Sequence, residues 1–101
     1  MPEYNDKLLD AIVPNLLGVS TNKYGNYLIK EILKSKEKNK VDRIFSKLKG
    51  HIKELYNDEY GKYVAQDLIK NVDEEQLKKI HSIAKKFKEF LILCLNIMIN
   101  Y

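Results

Sequence analysis

Apolar and polar residues along this chain alternate with a helical period. Val41, Ile44, Phe45 and Leu48 stand at i, i+3, i+4 and i+7, the stripe of an amphipathic helix. Leu28, Ile29, Ile32 and Leu33 form a second stripe, and Val64, Ala65, Leu68 and Ile69 a third. The pattern also repeats itself. An offset of 36 residues lays 24–34 (YGNYLIKEILK) over 60–70 (YGKYVAQDLIK), so that Tyr24, Gly25, Tyr27 and Lys34 recur as Tyr60, Gly61, Tyr63 and Lys70. Leu16 and Val19 then meet Ile52 and Leu55, and Leu8, Ile44 and Ile80 form a threefold series.

Each unit reads as three helices. A short one covers about 15–19 and again 51–56, and a longer one starts near Tyr24 and near Tyr60. The third carries the Val41 stripe or its counterpart, Leu77, Ile80, Ala84 and Phe87. Ser20-Thr21-Asn22 and Asn57-Asp58 suit the caps of the second helices. Asp6 and Asp42 share a phase at which each is expected to cap a third helix, and Gly50 is expected to end one as a C-cap. The expected organisation is one domain over 1–101. It holds a partial repeat at 4–14, repeat one at 15–50, repeat two at 51–86 and an incomplete repeat or apolar cap at 87–101. The predicted fold class is all-α, a short α-solenoid.

Composition supports this reading and excludes others. Apolar residues make up 45% of the 101, enough to build a core, and 4 Gly with 2 Pro are too few turns for a many-stranded β fold. The net charge of +4 is mildly basic and compatible with nucleic acid. A single cysteine, Cys94, points to a reducing compartment. The start MPEYNDKLLD lacks the apolar run of a signal peptide. The apolar run at 90–99 is about half the length needed to span a bilayer, so no membrane association is expected. It is read instead as a surface for a protein partner or for self-association. His51, His81 and Cys94 have no metal-ligand spacing, and no catalytic triad or phosphate loop is present. No enzyme, metal or cofactor is expected.

The residues themselves bear a family resemblance. Gly50-His51-Ile52, an Asx ahead of Tyr-Gly and an aromatic two residues beyond that glycine, as in 48–70 (LKGHIKELYNDEYGKYVAQDLIK), resemble a repeat of the Pumilio (PUF) family of RNA-binding proteins. The stretch 16–33 is a second copy, and Glu74-Glu75-Gln76-Leu77 is similar to the start of the family's third helix. The resemblance covers most of 8–87. It implies a right-handed, armadillo-like solenoid of three-helix repeats that binds single-stranded RNA in post-transcriptional regulation, in the cytoplasm or alternatively the nucleolus.

In that family three side chains of each second helix meet one base. By position these are Asn26, Tyr27 and Lys30 in the first copy and Lys62, Tyr63 and Gln66 in the second. The helical wheel agrees: at about 100° per residue, Asn26, Lys30 and Tyr27 lie near 0°, 40° and 100°, opposite the Leu28–Leu33 arc. Tyr27 and Tyr63 are the expected stacking rings, with packing between repeats as the competing reading. Lys23, Lys34 and Lys70 are expected phosphate contacts. Tyr24 and Tyr60 are expected to wedge each second helix against its neighbour, and Gly25 and Gly61 to permit close packing. The family's uridine reader pairs Asn with Gln around Tyr, and each copy here keeps half of that pair, since Lys30 and Lys62 carry donors only. A protein-binding or ribonucleoprotein-associated helical adaptor without base-specific reading is the alternative function.

Overall fold

Helices that begin at residues 2, 38 and 74 carry the 36-residue period into three dimensions in a computed structural model, which describes residues 2–84. The order is α1 (Pro2–Ile12), α2 (Leu16–Ser20), α3 (Gly25–Lys34), α4 (Lys38–Leu48), α5 (Ile52–Asn57), α6 (Gly61–Asn71) and α7 (Glu74–Ala84). Short 3-10 turns at Val13–Asn15 and Lys49–His51 join α1 to α2 and α4 to α5. No strand occurs among the described residues, and the fold is all-helical. Cys94, Phe87 and the apolar run at 90–99 lie outside the described residues.

The second helices start where their caps dictate. The Asn22 side-chain oxygen accepts from the Tyr24 and Gly25 amides at 2.8 and 2.9 Å, and Asp58 does the same for Tyr60 and Gly61 at 2.9 and 2.7 Å. These bonds satisfy backbone donors that have no partner inside the helix. Beyond the end of α3 the chain turns at Lys36, whose φ of 58° is left-handed and whose amide donates to Leu33. α7 opens with a reciprocal box: Gln76 N donates to Asp73, and Asp73 N donates to the Gln76 side chain.

Equivalent apolar positions of the two copies share one core. Ile29, Ile32 and Leu33 of α3 are buried with Val64, Ala65, Leu68 and Ile69 of α6, and Val41, Ile44, Phe45 and Leu48 line it from α4. α3 and α6 lie side by side, and α6 also packs on the short α5 of its own copy. Gly25 and Gly61 let each second helix approach the short helix of its own copy closely, α3 on α2 and α6 on α5. A methyl group on Gly25 would press into the Val19 carbonyl, and one on Gly61 would stand 2.9 Å from that of Leu55.

Third helices are linked by polar side chains. Arg43 of α4 pairs with Asp10 of α1, and the fully buried Lys40 pairs with Glu37 and lies 3.9 Å from Asp6. From α7 and the residue before it, Gln76 donates to Asp42 at 2.6 Å, and Lys38 reaches Asp73 at 3.0 Å.

Two expected caps take other roles. Asp6 and Asp42 sit inside α1 and α4 rather than ahead of them, and Asp42 accepts from Gln76 and Lys38. The residue ahead of α4 is Glu37, in extended backbone and making no side-chain cap bond. Gly50 does not stop α4 in a left-handed conformation. The chain continues through the 3-10 turn into α5, so only a change of pitch separates them.

Candidate functional site

The third residue of α3 and the third of α6 are Tyr27 and Tyr63, equivalent positions on two adjacent helices. The two residues are 62% and 44% exposed, whereas the large aliphatic side chains of these helices are buried or partly buried. Lys30 stands one turn beyond Tyr27. Its Nζ lies 4.9 Å from the Tyr27 ring centre and 5.2 Å from that of Tyr63, so one ammonium faces both rings. The two ring centres are therefore at most about 10 Å apart. Lys62 adds a second ammonium to Tyr63, at 5.2 Å.

Between these rings is a cleft of about 260 Å³ lined by Asn26, Tyr27, Lys30, Glu59, Tyr60 and Tyr63. It is small. Pockets for drug-sized ligands span about 300–1,000 Å³, so this one has room for a single ring system. Its walls are aromatic, and its charges are one ammonium, Lys30, and one carboxylate, Glu59. Neither forms an ion pair among the described residues. The arrangement suits a flat, polar ring held between aromatic faces with a cation and an anion at its edge.

Four of the six expected reading residues depart in part from expectation, and each departure has a local cause. Asn26 lines the cleft but is only 2% exposed, and its amide nitrogen donates to the Asn22 and Lys23 carbonyls at 2.9 and 2.8 Å. It secures the start of α3, so its donor is not available to a base edge. Lys30 is half-buried against the two rings rather than extended into solvent. Lys62 and the half-buried Gln66 lie outside the cleft lining. Tyr27 and Tyr63 stand exposed as the stacking reading requires.

Of the expected phosphate contacts, Lys23 is exposed with its ammonium 5.6 Å from the Tyr24 ring. Lys34 pairs with Glu31 at 3.5 Å, a surface pair that is readily exchanged, and Lys70 is exposed. Tyr60 is half-buried and lines the cleft against α3, as the wedge reading expects. Tyr24 is 74% exposed and wedges nothing, because no second helix precedes α3 among the described residues. His51 bonds to Glu54 at 2.9 Å within its own turn, and His81 is half-buried.

Glu59 is the cleft residue that the periodicity did not single out. The signal was its place one residue before Tyr60, in the bend that Asp58 folds back toward α3. Among the described residues no cluster of three or more His, Cys, Asp or Glu could hold a metal ion, and no helix is long and apolar enough to cross a membrane. No protein-family model matches the chain, and no curated protein or solved structure matches it either.

Proposed function

We propose that this chain binds single-stranded RNA by taking an unstacked base between Tyr27 and Tyr63. The observation that supports it most directly is the pair of exposed rings at equivalent positions of α3 and α6, facing one shared ammonium. Magnitudes favour a base over the resident lysine. An exposed cation–π contact is worth about 0.5–1 kcal/mol, and a base–ring stack about 1–3 kcal/mol. A base entering the cleft therefore displaces Lys30 toward its own edge or toward a phosphate. In this reading the two 36-residue units are Pumilio-like repeats of a right-handed solenoid, and the chain works in post-transcriptional control in the cytoplasm.

Two stacks supply at most about 6 kcal/mol before the strand's ordering entropy is subtracted, so affinity falls in the high micromolar range or weaker. The exposed lysines make binding fall with salt. The burial of Asn26 favours a second reading, that of a helical adaptor for a protein or ribonucleoprotein surface without base-specific reading.

Fluorescence anisotropy of a labelled ten-nucleotide RNA, at two salt concentrations, tests the proposal. Tyr27→Ala/Tyr63→Ala is expected to weaken binding by at least about tenfold. Its melting curve should match the wild type, since both rings are exposed. Equal affinity for both proteins overturns base stacking, and an absence of RNA binding by the wild type leaves the adaptor.

A further inference from the structure

The cleft carries more information than two stacking faces. It holds a carboxylate, Glu59, and an ammonium, Lys30, with Tyr27, Tyr60 and Tyr63 as walls. An ionised carboxylate only accepts hydrogen bonds, and an ammonium only donates them. A base held among these rings is therefore selected by its edge. It must turn donors toward Glu59 and an acceptor toward Lys30.

We infer that the cleft between the two copies prefers guanine, with Glu59 accepting from its N1–H and N2–H groups and Lys30 donating to its O6. This rests on the RNA reading above and adds the identity of the base. Guanine alone among the four places two adjacent N–H donors beside a carbonyl. Uracil has one N–H flanked by two carbonyls, so one of its oxygens meets the carboxylate. Cytosine sets one amino donor beside two acceptors. Adenine sets its amino group beside a ring acceptor and has no carbonyl for Lys30. Hydrogen bonds to an ionised group are the strong ones, and two at once fix orientation as well. Asn26 supplies no competing donor, because its amide nitrogen is already bound to the backbone.

The selection belongs to the cleft and not to the repeat. In the first copy the position equivalent to Glu59 is Lys23, which is exposed and lies beside Tyr24. A base stacking there would meet a donor in place of an acceptor.

Labelled pentamers UUGUU, UUAUU, UUCUU and UUUUU, with inosine at the centre of a fifth, test this by anisotropy on the full chain. UUGUU should bind about tenfold tighter than the A, C and U forms. Inosine, which lacks the N2 amine, should fall between. Glu59→Gln should level the series while binding stays dependent on Tyr27 and Tyr63. A series with no preference, or a guanine preference that Glu59→Gln leaves intact, overturns the inference with the RNA reading still standing. Pentamers that do not bind, or that bind Tyr27→Ala/Tyr63→Ala as well as the wild type, overturn both.

Discussion

In the first copy Asn22 caps α3, and Asn26, one turn later, folds its amide back onto the carbonyls of residues 22 and 23. In the second copy Asp58 makes the same cap on α6, yet Lys62 stands where Asn26 would be and lays its ammonium on Tyr63. The residue between cap and tyrosine changes sign as well, Lys23 against Glu59. Cap, tyrosine and glycine recur because the backbone needs them. The amides need an acceptor, and each helix must approach a neighbouring carbonyl that leaves no space for a Cβ. The positions around that scaffold are under no such demand, so they diverge, and chemistry at the cleft is written there.

The largest effect expected from this comparison lies in the glycines. Gly25→Ala should cost about 3 kcal/mol and Gly61→Ala about 1–2 kcal/mol in urea unfolding, because the first methyl presses harder on its carbonyl. Equal costs would mean that the two crossings are equally tight. Next comes the residue that differs. Asn26→Ala should lose about 1 kcal/mol with its two backbone bonds, and Lys62→Ala should stay within about 0.5 kcal/mol of the wild type. A neutral Asn26→Ala would return that side chain to the list of base readers.

The smallest effect is a pH dependence at the start of α7. The backbone amide of Gln76, and then Lys38, hold the Asp73 carboxyl below its ordinary value of 3.8. A depressed folded-state value means stability that is complete above 3.8 and is lost as pH falls through the folded value. Lys38 is raised from 10.5, first by Asp73 and then by Asp42, so its contribution is present below 10.5 and lost as pH rises through the folded value. Asp73→Asn keeps a capping side chain and removes the titration. Its melting temperature should fall less than the wild type's on acidification, and parallel acid limbs would count against the assignment.

The 36-residue period was legible because every helix buries a stripe, and stripes leave a trace in sequence. Cap residues at Asn22 and Asp58 were legible for the same local reason. The departures come from positions where a wheel or a single residue type is a poor guide. Asn26 lies opposite the apolar arc, but as the second residue of α3 it is covered by the turn that it bonds. Gly50 suggests a stop, but the chain needed only a pitch change. Asp42 had the right residue type and the wrong depth, inside α4 where Gln76 of the next copy reaches it. Glu59 enters the cleft through a contact between copies, which no single repeat reveals.

The polar ties along the third helices have a consequence for any binding experiment. Arg43 to Asp10 and Lys38 to Asp73 connect successive copies through charges that water and salt can reach, whereas α3 and α6 are joined by buried apolar side chains. Raising ionic strength therefore weakens the polar ties between third helices while α3 and α6, which carry Tyr27 and Tyr63, stay clamped by the shared core. The slope of affinity against salt then reports the phosphates neutralised, with the distance between the two rings held constant.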